Sequence, residues 1–493
     1  MPRTHVAHPA GSDAPGAAPA REPGSALGVS SIVRVVLPAL LLASVLLVVV
    51  IDFAGPLSNP DTYFHLRFGR EFLDGWSLRD PGSVTTQATA HWVPTQWLPE
   101  IVMATFDDWF GLPGVAWLAG LQVMGLVVAL WVAARRRAEP LLAVALVMAA
   151  LLGSSIGLSA RPQVISYVLV VITVDAWLRT ADDGRARWWL VPMTWIWAMC
   201  HGMWPVGIAI GGVVLIGMAL DRRTTMRRWW LLACVPALSA VAAALTPVGP
   251  ELYVQELRVQ DRSAFFSEWH SPHLTNHACL AVGFLLVLTL IALVCTPWRG
   301  WVTVLLFVAA AGCAVWTWRT VPVAAVMLVP VGAPALQELT RRRSTGPRRP
   351  ELVLLAAGCA GALAVLGVLV PHQVPDPTQN PGWLQPAMTS LPPDTRVLST
   401  WSTSAPLMWR FPDVDLIANG YGDAYTVPEL QRSSDIESVA PGWEDDLRAT
   451  GVTVAVLPTD NPLADALVRD EHWKVLHRSR GLEMLAAPSA ATN

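Results

Sequence analysis

Residues 31–51 read SIVRVVLPALLLASVLLVVVI, and after a short connection residues 59–73 read NPDTYFHLRFGREFL. The first run is apolar from Ser31 to Ile51, as long as a membrane-spanning helix needs to be. It is too long for a signal-peptide core and has no cleavage site after it, so it reads as a retained anchor. In the second run Phe64, Phe68 and Phe72 recur at i, i+4 and i+8, which predicts an amphipathic helix lying on the membrane surface. Asn59 is suited to its N-cap and Pro60 to its first turn. Asp61 then falls where the helix dipole favours the carboxylate over the acid. A carboxylate at a water–lipid boundary is equipped to take a proton from a hydroxyl or to hold a divalent cation. The plainer reading is that Asp61 only complements the helix end.

The pattern of the first run repeats. Hydrophobic residues make up 53% of the 493 and charged residues 14%, with a mean hydropathy of +0.44. A soluble domain is about a quarter charged. Hydropathy predicts about eleven spans: 31–51, 113–134, 139–158, 163–179, 188–201, 204–220, 229–246, 279–296, 300–317, 321–338 and 351–371. The stretch 188–220 is too long for one helix, and His201-Gly202 with Pro205 is the natural break. Trp188-Trp189 and Trp229-Trp230 abut basic residues, as interfacial belts do. The six Cys lie in or beside apolar runs without metal-ligand spacing, and read as buried thiols. A net charge of −3 leaves no nucleic-acid footprint.

The fold expected is therefore a polytopic α-helical membrane protein. Residues 1–29 read as a disordered cytoplasmic tail, and 30–371 as the transmembrane domain with a long first outer loop at 52–112. With the N-terminus inside, the clusters Arg135–Arg137, Arg185 with Arg187, Arg222–Arg223 with Arg227–Arg228, Arg299, and Arg341–Arg343 with Arg348–Arg349 all fall on the cytoplasmic side, as the positive-inside rule requires. An odd span count puts 372–493 outside. There, strand-like runs (Arg396–Thr400, Val414–Ala418, Val452–Leu457, Trp473–His477, Leu482–Ala486) alternate with helical ones (Ala405–Phe411, Val427–Glu437, Trp443–Ala449, Pro462–Arg469). That alternation predicts a small extracytoplasmic α/β domain.

In their order along the chain these pieces resemble a family. Asp61-Thr62-Tyr63-Phe64-His65 is similar to the Asp-Pro-Tyr-Phe-Asn segment of oligosaccharyltransferase catalytic subunits, members of the GT-C superfamily of membrane glycosyltransferases. A closer resemblance is to a large bacterial set of GT-C-like proteins. It rests on Asp61…His65-Leu66…Gly69, Asp80-Pro81…Ser83, Trp92…Trp97-Leu98…Glu100, Arg161-Pro162-Gln163, His201-Gly202, Glu268-Trp269-His270-Ser271-Pro272 and Arg319-Thr320-Val321-Pro322. That set usually has Asn two residues before His-Gly, where this chain has Met199. The resemblance implies a bacterial plasma-membrane protein that moves a sugar from a polyprenyl-phosphate donor to an envelope glycan, lipid or protein, with inversion. It implies Asp61 as general base toward the acceptor, or as a metal ligand if a divalent cation takes part.

The leaving phosphate needs cations. Arg161 and Arg319 sit at outer ends of spans, against the charge trend, and Arg suits phosphate; interfacial snorkelling is the alternative. His65, His201, Glu268 and His270 are further cleft candidates. For His201 the alternative is a bond to backbone freed at the helix break, and for Glu268 and His270 a solvated loop. Asp413-Val414-Asp415 has the Asp-x-Asp form of nucleotide-sugar enzymes, but stands at a predicted strand start. Asp107-Asp108 reads as a solvated helix face. Two rival functions stay open: a non-catalytic glycolipid-binding or envelope-scaffold protein, and a transporter or flippase, for which His201 and Asp175 are the ionisable groups inside apolar runs.

Overall fold

The computed structural model describes residues 29–342, 344 and 346–488; most of the predicted cytoplasmic tail lies outside them. The chain starts with α1 (Val29–Phe53), α2 (Asp61–Leu73), α3 (Trp97–Phe110), α4 (Leu112–Arg135), α5 (Pro140–Ser154) and α6 (Gln163–Asp183). It continues through α7 (Leu190–Cys200), α8 (Trp204–Leu220), α9 (Met226–Ala244), α10 (Glu251–Arg262), α11 (His277–Cys295), α12 (Trp301–Trp316), α13 (Val321–Leu339) and α14 (Arg349–Gln373). Every apolar run that hydropathy marks as a span is helical. Seven helical segments, those of α1, α4, α5, α6, α11, α13 and α14, are long and apolar enough to cross a membrane, and α7, α8 and α12 are shorter apolar helices. The chain is a multi-pass membrane protein.

The long run 188–220 breaks where its sequence says it must. His201 leaves the helical conformation at φ −169°, ψ 142°, and Pro205 stands in the first turn of α8, where its missing N–H costs nothing. At the centre, α13 is buried along nearly its whole length against α5, α11 and α12. At the end of the bundle where α4 and α6 finish, Asp175 pairs with Arg136, with Arg137 at 2.5 Å and with Arg179 at 3.3 Å. Arg135 pairs with Glu351 at 2.9 Å and Arg299 with Glu338. Asp175 thus anchors a basic loop.

The opposite end carries α2, α3 and the C-terminal segment. Here one expectation is corrected. The aromatic face of α2 does not lie on a lipid surface: Phe64, Phe68 and Phe72 are buried. Phe68 packs on Trp76, Trp92 and Tyr421, and Phe64 on Tyr421. The protein supplies its own apolar cover, from the connection between α2 and α3 and from the tail. Asp107 is corrected too: far from being solvated, it is buried and accepts hydrogen bonds from Trp409 Nε1 at 2.9 Å and from Arg70 at 3.3 Å.

The tail opens with α15 (Leu384–Thr389), then β1 (Arg396–Leu398), α16 (Trp401–Arg410), β2 (Asp415–Leu416), α17 (Val427–Glu437), α18 (Trp443–Thr450), β3 (Val454–Pro458), α19 (Pro462–Arg469), β4 (Lys474–Arg478) and β5 (Leu482–Ala486). The sheet runs β2-β1-β3-β5-β4, parallel at β2/β1 and β1/β3 and antiparallel at β3/β5 and β5/β4. All five strands and four of the five helices stand where the alternating pattern puts them; α15 is an addition. Asp415 has a role that its Asp-x-Asp setting does not suggest. Its carboxylate accepts from Thr85 Oγ1 and Thr86 N, both at 2.9 Å, and from Thr86 Oγ1 at 2.5 Å. Glu429 accepts from Thr89 Oγ1 at 2.5 Å. The connection between α2 and α3 is stitched to the tail.

Candidate active site

Five turns at the α2 end converge on one cavity of about 650 Å³. Asp61 opens α2, and Asn59 Oδ1 accepts its backbone N–H at 3.0 Å, so Asn59 fixes the turn as its residue type predicts. Arg161 stands just before α6, Arg319 in the short turn before α13, His201 in the break between α7 and α8, and Glu268 in the turn Ser267–Trp269. The Gly420–Asp423 loop of the tail supplies the remaining wall.

The charged groups form one chain of contacts. Arg161 Nη1 donates to Asp61 Oδ2 at 2.5 Å and lies 3.7 Å from Glu268 Oε2. Arg319 Nη1 donates to Glu268 Oε1 at 2.7 Å, so one carboxylate faces both guanidiniums. Arg319 also lies 5.0 Å over the Trp269 ring and places Nη2 3.3 Å from His201 Nε2. On its other side His201 Nδ1 lies 3.0 Å from Ser166 Oγ and faces the Met203 backbone N–H at 3.3 Å. Ser166 in turn accepts from Trp197 Nε1 at 2.8 Å. His201 is thus an orienting group behind Arg319, and Met199 is not needed for a polar network there.

Burial and these neighbours act differently on the two acids. Burial raises the Asp61 carboxyl above its ordinary value, and outweighs the pull of Arg161 and its hydrogen bond. Glu268 is also pushed up by burial, yet Arg319 and Arg161 together hold it below the usual carboxylate range. Asp61 is therefore the better proton acceptor and Glu268 the more persistent anion.

Sequence reasoning passed over three acids of this site or its wall. Glu256 of α10 has no hydrogen-bond or ion-pair partner among the described residues, and burial pushes its carboxyl up to about 8. Its Oε1 lies against Gly202, 2.7 Å from where a Cβ there would stand. Asp423 reaches in from the tail, 3.9 Å from Arg262, and burial raises its carboxyl as well. Glu100 lies behind the wall, 2.8 Å from His65 Nδ1. Glu100 was in view within Trp97-Leu98…Glu100; the other two carried no sequence signal.

Asp61, His65, Arg161, His201, Glu268 and Arg319 all line the cavity. His270 does not. It is exposed, its ring 3.3 Å from the Ala264 carbonyl, while its own carbonyl accepts from Trp318 N at 3.1 Å. His270 therefore shapes the turn that carries Glu268. Among the described residues no group of three or more His, Cys, Asp or Glu is disposed to hold a metal ion; the carboxylate that faces Asp61 across the site is separated from it by Arg161. This donor set suits an anion better than a cation.

No protein-family model matches the sequence, and no curated protein matches it. Solved structures do match. ArnT from Cupriavidus metallidurans, bound to undecaprenyl phosphate, aligns at 16% identity with a TM-score of 0.52, covering 91% of this chain and 97% of that one. The archaeal oligosaccharyltransferase AglB from Archaeoglobus fulgidus, in complex with an inhibitory peptide and a dolichol-phosphate, aligns at 11% identity with a TM-score of 0.56, covering 85% of this chain and 69% of that one. The chain has the GT-C fold. A match over 91% of the residues leaves out too little for either part to be missing, so the GT-C likeness takes in the helical body and the tail together.

Proposed function

We propose that the protein is an inverting glycosyltransferase that takes a sugar from a polyprenyl-phosphate donor on the outer face of a bacterial plasma membrane. The acceptor is an envelope glycan, lipid or protein. The observation that carries this reading is the meeting of a burial-raised carboxyl, Asp61, with two guanidiniums in one cavity of a GT-C fold. The solved relatives of that fold include proteins bound to undecaprenyl phosphate and dolichol-phosphate.

In this reading the Asp61 carboxylate takes the proton of the acceptor hydroxyl, and the freed oxygen attacks the anomeric carbon from the face opposite the phosphate. The carbon–oxygen bond to phosphate breaks, its electron pair leaves with polyprenyl phosphate, and Arg161 and Arg319 stabilise that charge. A raised carboxyl is the stronger base, and Arg161 limits the rise. Orientation follows from the charges: the Arg clusters about Arg135, Arg222 and Arg299 gather at the end away from the cavity, which supports an inside N-terminus and an outside tail. The transporter reading has less support, because Asp175 is fully engaged by three Arg and His201 belongs to the cavity.

The test compares envelope glycans and glycolipids of deletion, wild-type and Asp61→Asn strains. A sugar missing from both the deletion and the Asp61→Asn strain is the expected result. Full restoration by Asp61→Asn would refute a catalytic Asp61, and an unchanged glycan profile in every strain would favour a non-catalytic scaffold.

A further inference from the structure

His65 follows Asp61 by one helical turn on α2, so the two side chains share a face, and both line the cavity. The His65 ring is buried, at 3% exposure. Its Nδ1 is taken by Glu100 Oε1 at 2.8 Å, and its Nε2 has no hydrogen-bond partner among the described residues. Glu100 belongs to α3 and is wholly buried; its second oxygen, Oε2, is buried without a hydrogen-bond partner among the described residues. The approach of the two helices is deliberate: a Cβ at Gly69 would collide with the Glu100 carbonyl oxygen. Glycine at 69 lets α3 come close enough to set Glu100 behind His65.

An ionised carboxylate with one oxygen unsatisfied in an apolar setting is costly. A neutral carboxylic acid that donates from Oε1 to Nδ1 and leaves only a carbonyl oxygen unpaired costs far less. Burial acts in this direction on both partners, raising Glu100 and lowering His65. With Nδ1 accepting, the imidazole proton sits on Nε2.

We propose that His65 is a ligand-contacting hydrogen-bond donor of this cavity, positioned by Glu100, and that its Nε2–H binds a phosphate oxygen alongside Arg161 and Arg319. The inference rests on the phosphate-site reading above and adds a neutral third donor to its two cations. A neutral donor suits this place. Arg161 and Arg319 already act electrostatically on His65, so a third cation there would be repelled, whereas an N–H dipole bonds an anion at no such cost.

Equilibrium binding of undecaprenyl phosphate to the full-length protein in nanodiscs tests this, with thermal unfolding as the check on folding. His65→Leu removes both ring nitrogens and is expected to weaken binding fivefold or more. His65→Gln, whose amide N–H replaces Nε2–H, is expected to stay within about twofold of wild type. Glu100→Leu frees the ring and is expected to weaken binding, while Glu100→Gln still donates to Nδ1 and restores it. Wild-type affinity in His65→Leu, with affinity lost in Arg319→Ala, overturns the role of His65 alone. Wild-type affinity in both overturns the phosphate site and this inference with it. Should His65→Leu fail to fold, His65→Met makes the same comparison, with the same overturning result.

Discussion

Asp61 Oδ2 and Arg161 Nη1 meet at 2.5 Å across a sequence separation of 100 residues, and that contact opposes the burial that raises the proposed base. Asp61→Asn keeps a hydrogen-bond acceptor for Arg161 but removes the proton acceptor. Transfer of sugar from a polyprenyl-phosphate donor by purified protein is expected to fall about a hundredfold or more, with an unchanged melting temperature. Activity within a few-fold of wild type would exclude Asp61 as the base.

Arg161→Ala takes away the main influence that opposes burial at Asp61. The Asp61 carboxyl then titrates at higher pH. A base works only when ionised, so the acidic limb of the pH–rate profile is expected to move upward in Arg161→Ala. An unmoved limb would mean that Asp61 does not set it.

Glu268 faces Arg161 at 3.7 Å and Arg319 at 2.7 Å, where a phosphate would compete for the same donors. Glu268→Gln removes the competing charge. Undecaprenyl phosphate is expected to bind several-fold more tightly to Glu268→Gln, as read by equilibrium binding. Weaker binding would show instead that Glu268 mainly holds the guanidiniums in place.

Glu256 gives a pH dependence of opposite sense. Its folded-state value of about 8 lies above the ordinary 4.5, so the fold favours the protonated form. Between those values the unfolded chain is ionised while the native acid is not, and the group disfavours folding increasingly up to about pH 8. Above that, Glu256 adds a negative charge to the cavity. Undecaprenyl phosphate affinity is expected to drop as pH rises through about 8 in wild type and to stay level in Glu256→Gln. An identical drop in both would assign the effect elsewhere.

Gly69→Ala forces a methyl group into the Glu100 backbone. Backbone cannot yield as a side-chain tip can, and overpacking of this kind costs about 1–3 kcal/mol. A lowered melting temperature in detergent is the expected result; an unchanged one would mean that α2 and α3 are less tightly joined.

Much of this was readable in the sequence because it depended on local order. Helical apolar runs, the break at His201-Gly202 and the alternation of the tail each follow from residues close together in the chain. Arg161 and Arg319 stood out as charges at ends of spans, Asp61 at a helix start, His201 at a helix break and Glu268 in a loop, and the fold gathers them. The rest depended on distant packing. The aromatic face of α2 announced that it would be covered, but not that Tyr421 would cover it rather than lipid. Asp107 looked solvated because nothing near it in sequence hints at Trp409. Glu256 and Asp423 sit in ordinary polar stretches, and only the folded chain turns them inward. His270 misled by its neighbours: it lies two residues from Glu268, on the other side of the same turn.

The stitching of Thr85, Thr86 and Thr89 to Asp415 and Glu429 bears on how the protein is made. Asp61 leaves the ribosome early, while Tyr421 and Asp423 come only when synthesis is nearly over. Until then Phe64 and Phe68 lack the Tyr421 ring they pack on, and the cavity lacks a wall. A nascent chain halted before the tail therefore has the aromatic face of α2 only partly covered, by Trp76 and Trp92, and its pocket unfinished.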